Sequence, residues 1–277
     1  MSVPLLDVRG LCFSYEPGLP VLDDVNLTVG RGQQVAVVGP NGGGKTTLFR
    51  LIVGALAANA GQIALDGVPL RRNRTGLLSL RQQVQLVLQD PDDQLFAASV
   101  YQDVSFGPIN LGLPPDEVRE RVTDALAALD VAHLADRPTH LLSYGQRKRV
   151  SIAGAVALRP RLLILDEPTA GLDPSGVEAL LHTLATLRAA GTTLVLSTHD
   201  VDLAFRWADQ VAVVADRTVR VGRAAETLVD EELLGRAHLR VAWAPLVHRL
   251  LDRSPATAGA RPRTPTELSG VLATNEE

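Results

Sequence analysis

The sequence predicts an α/β fold assembled around a phosphate-binding strand–loop–helix unit. A β-branched run, Gln34-Val35-Ala36-Val37-Val38, stops at Gly39 and opens into a glycine-rich loop and an apolar helical stretch over 47–53, the order such a unit requires. Segments 84–88 and 162–165 are continuous in apolar character, as strands of a parallel sheet covered on both faces are. Segments 193–196 and 211–214 add two more strands of the same kind, with helical spacing between the runs.

In chain order, 5–29 alternates apolar and polar residues around a turn at Pro17-Gly18-Leu19-Pro20, which predicts antiparallel strands. From 89 to 142 no strong strand signal occurs. Val118, Val122, Leu126 and Leu129 share one helical face there, so this stretch reads as a mostly helical lobe inserted between sheet strands. A helix is expected over 174–188, with Val177, Leu180, Leu181, Leu184 and Leu187 as its apolar positions. From Ser254 onward the chain turns rich in Pro, Ala, Thr and Arg with little apolar period, which predicts a flexible tail.

The chain has 277 residues, 46% of them hydrophobic, and a formal charge of −4. It can bury a sizeable core, and it lacks the basic excess of a general nucleic-acid binder. Arg147-Lys148-Arg149 is a local basic run that is expected to decorate a helix. The single cysteine, Cys12, excludes an internal disulfide framework and lies in a strand-like run, as a buried structural thiol. No basic-then-apolar leader is evident at the N-terminus. No apolar run reaches the roughly 18 to 20 residues of a spanning helix. A cytosolic protein is expected, with any membrane role exercised through partners. His133, His140, His182, His199, His238 and His248 show no ligand spacing for a transition metal.

The chemistry concentrates in two segments. Gly39-Pro40-Asn41-Gly42-Gly43-Gly44-Lys45-Thr46 has the G-x4-G-K-T spacing with a strand before and a helix after it. Glycines let backbone N–H groups curl around phosphate oxygens, and the helix N-terminus adds positive potential. Lys45 reaches toward β- and γ-phosphates, and the Thr46 hydroxyl is a Mg²⁺ ligand. Leu162-Leu163-Ile164-Leu165-Asp166-Glu167 is an apolar strand ending in two acids at the edge where α/β folds place ligands. Asp166 is expected to hold Mg²⁺ directly or through water, and Glu167 to polarise an attacking water as general base.

Between these segments lies Leu142-Ser143-Tyr144-Gly145-Gln146, which resembles the L-S-G-G-Q signature of the ATP-binding-cassette (ABC) ATPases. The resemblance covers roughly 5–223. It implies a P-loop ABC ATPase core with an N-terminal antiparallel β subdomain and an inserted helical subdomain. The implied division is an ATPase domain over 1–235 (helical subdomain about 90–160), a helical extension over 236–253 and a tail over 254–277. ATP with Mg²⁺ is the implied ligand. By the same resemblance Tyr15 stacks on adenine, 39–46 and Thr47 cradle the phosphates, and Gln89 lies near Mg²⁺ and the attacking water. His199 is the switch histidine and Gly171-Leu172-Asp173 the dimer-contact loop. Thr46, Gln89 and Asp166 are the implied Mg²⁺ set; Glu167, His199 and Gln89 the catalytic one.

The signature's Ser143, Gly145 and Gln146 face another subunit's γ-phosphate in this family, so a homo- or heterodimer is implied. Ser143 and Asp173 also read as helix N-caps, which is compatible. Two residues depart from the pattern: Tyr144 replaces the first signature glycine, and Gly43 stands where serine or alanine is frequent.

Gln89-Asp90-Pro91-Asp92-Asp93-Gln94-Leu95-Phe96 and the continuation Arg147-Lys148-Arg149-Val150-Ser151-Ile152-Ala153-Gly154-Ala155 resemble the energy-coupling-factor (ECF) uptake ATPases. Pro138-Thr139-His140, Ser105-Phe106-Gly107-Pro108 and Asn110-Leu111 resemble the cobalt/nickel-type members, with a vitamin importer as the alternative cargo class. The implied partners are a second ATPase subunit, an integral membrane coupling subunit and a substrate-binding membrane subunit. The implied location is peripheral, at the cytoplasmic face of the cell membrane. Leu95, Phe96 and Val100 are the candidate seat for an apolar helix of the membrane subunit. A soluble ABC ATPase acting on nucleic acid is the alternative from another class. The chain carries neither a long coiled-coil insertion nor a second cassette, and nucleic acid is not an expected partner.

Overall fold

In the computed structural model, residues 3–254 and 257–273 are described. Strands β1 (Leu6–Glu16) and β2 (Leu19–Val29) form the expected antiparallel pair. Leu6, Val8, Leu11 and Phe13 of the first and Leu22, Val25, Leu27 and Val29 of the second are buried. Strand β3 (Gln34–Val38) is buried at all five positions, because both faces of its sheet are covered. Helix α1 (Lys45–Ile52) then buries Leu48, Phe49, Leu51 and Ile52 between the two sheets.

A short hairpin follows, β4 (Ala60–Leu65) and β5 (Val68–Pro69). Its turn is Asp66-Gly67, with φ of 53° and 73°, the left-handed pair that matches strand twist in a two-residue loop. It completes an antiparallel sheet of order β2-β1-β4-β5. Helix α2 (Arg74–Gln83), capped by the Asn73 side chain, leads into β6 (Val84–Val87).

The lobe between β6 and the next strand is helical: α3 (Val100–Asn110), α4 (Pro115–Ala128) and α5 (Tyr144–Val156). Val118, Val122 and Leu126 of α4 are buried on the face their spacing predicts. The lobe shares one apolar cluster with the sheet through Val100, Val104, Val150 and Ile152.

Strand β7 (Leu162–Leu165), helix α6 (Pro174–Ala189), strand β8 (Thr193–Thr198), helix α7 (Val201–Trp207) and strands β9 (Gln210–Ala215) and β10 (Thr218–Arg223) complete the second sheet. Its order is β10-β9-β3-β8-β7-β6, parallel throughout except for the antiparallel edge pair β10–β9. With β8 between β3 and β7, their carboxyl ends emerge side by side: Val38 pairs with Thr198 and Leu165 with Leu196. The residues that follow all three strands therefore meet at one edge.

Helices α8 (Ala224–Thr227), α9 (Glu231–Arg236) and α10 (Trp243–Leu251) lie beyond the sheet. The expectation of a flexible tail is corrected for the described residues after Ser254. They include helix α11 (Pro265–Ala273) and contacts back to the body. His248 Nε2 donates to the Pro262 carbonyl at 2.7 Å, Arg261 pairs with Asp252 at 2.9 Å, and the Arg263 guanidinium lies 5.7 Å from the Phe205 ring centre. Composition missed this because the order comes from a few long-range polar contacts rather than an apolar period. Pro255, Ala256 and 274–277 of that expected tail fall outside the described residues.

Phe49 is fully buried in the cluster that holds α1 between the sheets. Phe49→Ala is expected to lower unfolding stability by about 3–5 kcal/mol, read as a lower denaturant midpoint with an unchanged slope.

Candidate functional site

The loop after β3 turns through Gly42 and Gly44, with φ of 76° and 102°, a region glycine enters without a Cβ clash. The turn aims the N-terminus of α1 at the carboxyl edge of the sheet. Lys45 folds back under the loop. Its Nζ donates to the carbonyls of Gly39 at 2.9 Å and Pro40 at 3.2 Å, and lies 3.4 Å from Glu167 Oε1. The Gly43 N–H donates to the Pro40 carbonyl at 3.1 Å. A Cβ at Gly43 would sit 3.0 Å from that oxygen, so this departure tightens the turn.

Thr46 Oγ1 donates to Asp166 Oδ2 at 2.6 Å. The other carboxylate oxygen accepts from Ser197 Oγ at 2.5 Å, and Ser197 in turn accepts the Glu167 N–H at 2.8 Å. His199, at the end of β8, places Nδ1 3.0 Å from Glu167 Oε2. Glu167 Oε1 is buried and has no hydrogen-bond partner, only the nearby Lys45 ammonium. Glu167 itself has φ of +42°, a left-handed conformation unfavourable for a residue with a Cβ.

Tyr15 is exposed, meets Phe13 edge-on at 4.9 Å and shares a 3.2 Å hydrogen bond with Thr47 Oγ1. An aromatic face thus stands beside the start of α1. Asn41 and Gln89 have exposed side chains. The Gln89 carbonyl accepts from Lys148 Nζ at 2.5 Å and from Tyr144 Oη at 3.4 Å. The structure therefore brings Lys45, Thr46, Asp166, Glu167 and His199 into direct contact, with Tyr15 and Gln89 at the margins.

Ser143, Gly145, Gln146 and Asp173 line a different cleft, together with Gly171 and Leu172; no residue of 39–47 lines it. Ser143 caps α5 in a reciprocal box: its Oγ accepts the Gln146 N–H, and Gln146 Oε1 accepts the Ser143 N–H. Asp173 caps α6 by accepting from the Gly176 N–H at 2.7 Å and from Ser175 Oγ. These bonds hold its carboxyl below the usual carboxylate range.

Tyr144, the departure from the signature, packs its ring against Gly171. That residue has φ of +76°, and a Cβ there would lie 2.7 Å from the ring. Burial, together with Asp90 and Asp92, raises the Tyr144 hydroxyl above its ordinary pKa.

Three expectations are corrected. Lys148 does not decorate a helix: it is fully buried, and burial pushes its ammonium pKa down to about 8. Val100 is buried in the lobe and is no docking residue, whereas Phe96 stays exposed against the exposed Phe106, ring centres 4.7 Å apart. Cys12 is only half-buried. Ser197 and Lys148 are the site residues that sequence reasoning missed. The legible signal for Lys148 was its i+4 spacing from Tyr144 and to the buried Ile152.

The sequence model of the ABC transporter family matches residues 22–170. The cobalt import ATP-binding protein CbiO of Rhodobacter capsulatus is 50% identical over 276 residues, covering 98% of each chain. The energy-coupling factor transporter ATP-binding protein EcfA3 of Clostridium perfringens is 43% identical, over 90% of this chain and 87% of its own. Among solved structures, cbiO1 of Clostridium perfringens, named as part of the ABC transporter complex cbiONQ, superposes with a TM-score of 0.77. It is 42% identical, and the match covers 91% of this chain and 100% of that one.

Ser197→Ala strips partners from a buried carboxylate oxygen and a buried N–H at once. A stability loss of about 1–3 kcal/mol is expected, measured by chemical denaturation; an unchanged midpoint would contradict this geometry.

Proposed function

The chain belongs to the ABC transporter ATP-binding family, and we propose that it is the ATP-hydrolysing subunit of an ECF-type importer whose cargo is cobalt or nickel ion. The observation that carries the proposal is the convergence of Lys45, Thr46, Asp166, Glu167 and His199 at the shared carboxyl edge of β3, β7 and β8.

Lys45 and the N–H groups of 39–47 bind and orient the phosphates, and Tyr15 offers its face to the base. The Thr46 hydroxyl and Asp166 carboxylate, 2.6 Å apart, form a hard-oxygen donor set that suits Mg²⁺; Gln89 is the third candidate from the margin. When bound, Mg²⁺ would neutralise charge on the phosphate oxygens. Glu167 takes the proton of the attacking water through a carboxylate already aimed by Lys45 and His199. His199, with 65% of its side chain exposed, can change partner as the γ-phosphate comes and goes.

The reading of a second ATPase subunit is supported by the separate cleft of Ser143, Gly145 and Asp173. A capped N-terminus of α5 presents donors to an anion but has no phosphate-binding loop beside it within the same chain. Two such subunits, identical or different, placed head to tail supply the missing half of each site. The membrane partner is supported by the exposed Phe96, Phe106, Ile109 and Leu141 between β6 and β7, of which Phe96 and Phe106 are in ring contact. Among the described residues no helix is long and apolar enough to cross a membrane, which fits a peripheral subunit at the cytoplasmic face. The cargo reading draws on the cobalt importer among the relatives. Uptake of labelled cobalt and nickel into vesicles carrying the whole complex tests it; ATP-dependent uptake of neither ion, or their efflux, would defeat it.

Glu167→Gln is expected to retain ATP binding and lose about 10²- to 10⁴-fold in turnover; hydrolysis at the parent rate would remove Glu167 from its role. Phe96→Asp is expected to leave hydrolysis by the isolated chain unchanged while abolishing co-purification with integral membrane proteins. Undiminished co-purification would place the membrane contact elsewhere.

A further inference from the structure

Lys148 is a fully buried cation on α5, outside the phosphate-binding machinery. Its ammonium has three donors, and two reach backbone carbonyls of different segments: Gln89 at 2.5 Å and Glu167 at 3.3 Å. Burial of a lysine is unfavourable, and Asp90, Asp166 and Glu167 offset it only in part, since its pKa still falls to about 8. A methionine would fill such a space without that penalty, so packing does not account for a lysine here.

What the ammonium holds is specific. Glu167 sits at φ +42°, a conformation that persists only where neighbours over-determine it. Its N–H is tied to Ser197 Oγ at 2.8 Å, and its carbonyl accepts from the Ala170 N–H at 3.1 Å as well as from Lys148. Clamped on both sides, the residue aims Oε1 at Lys45 and Oε2 at His199. The Gln89 segment is tied to the same helix at further points. Tyr144 Oη donates to the Gln89 carbonyl at 3.4 Å, Arg147 pairs with Asp92 at 2.7 Å, and Gln94 Nε2 donates to the Ser151 carbonyl at 3.3 Å.

We propose that Lys148 is a positioning residue for ATP hydrolysis, holding the backbones of Gln89 and Glu167 from the helix whose N-terminus carries Ser143 and Gly145. The inference rests on the reading of Glu167 as general base. It adds a rigid route by which engagement of α5 with a partner's nucleotide sets the geometry of the base in its own subunit.

The test compares Lys148→Met and Lys148→Gln with the parent chain in steady-state hydrolysis, ATP binding and thermal unfolding, and repeats Lys148→Met in a Glu167→Gln background. Turnover is expected to fall about 10²-fold in Lys148→Met, the scale of a small misplacement of a reacting group, with KM and nucleotide affinity kept. Lys148→Gln, which retains an amide donor, is expected to fall less. In the double variant the losses should not multiply, because both act through one group. Parent-like turnover, a change confined to KM, multiplicative losses, or thermal destabilisation that accounts for the lost rate in both variants would each overturn the inference. Glu167→Gln alone hydrolysing at the parent rate would instead overturn the reading beneath it.

Discussion

Two lysines and two carboxylates, Lys45, Lys148, Asp166 and Glu167, are all buried at one edge of the parallel sheet. Charges in such a place are tolerated only when paired and hydrogen-bonded, and this requirement organises the surroundings. Lys45 spends its donors on the carbonyls of Gly39 and Pro40, which dictates how the loop closes. Lys148 spends its donors on Gln89 and Glu167, which draws the helical lobe against the sheet. Asp166 is satisfied by two hydroxyls from different elements. The exception is Glu167 Oε1, which has a cation nearby but no hydrogen bond. Among the described residues, the one buried side-chain acceptor without a hydrogen bond is thus an oxygen of the group proposed for the proton transfer, where a water would find a ready partner.

The arrangement is possible because of strand order. Placing β8 between β3 and β7 sets Ser197 beside Asp166 and brings His199 over Glu167 without any distortion of the sheet. Of the residues that meet at this edge, Glu167, immediately after β7, is the one held at positive φ without being a glycine. The antiparallel sheet carries none of these groups except Tyr15. Its contribution is to close over α1 through Leu22, Val25 and Phe13, fixing the helix that follows the glycine-rich loop.

Residues whose chemistry dictates their type were readable in the sequence. A phosphate loop calls for glycines, a lysine and a threonine or serine hydroxyl, and an apolar strand that ends in Asp166-Glu167 announces its own edge position. Helical faces such as Val118, Val122 and Leu126 were readable from period alone. What escaped depends on partners distant in sequence. Lys148 looks like one of three surface cations until the carbonyls of 89 and 167 are placed beside it. The β9–β10 turn uses Asp216 and Arg217 at φ of 47° and 68°, a left-handed pair without the glycine that usually betrays it. Val100 looked available because apolar exposure cannot be told from apolar burial over so short a run.

Tyr144 shows how a departure from a family pattern is absorbed. A tyrosine in place of glycine at the start of α5 brings a ring into the path of the loop that ends at Asp173. The loop accommodates it because position 171 is a glycine at positive φ; any side chain there would clash with the ring. The ring also lies 5.9 Å from the Arg147 guanidinium, whose Nε pairs with Asp92, and its hydroxyl points at the Gln89 carbonyl. The extra bulk therefore adds a contact to segments that Lys148, Arg147 and Gln94 already tie together. Burial, with the nearby Asp90 and Asp92, raises the phenol above its ordinary pKa. The cost falls on freedom at Gly171, which can no longer be exchanged for a larger residue while Tyr144 remains.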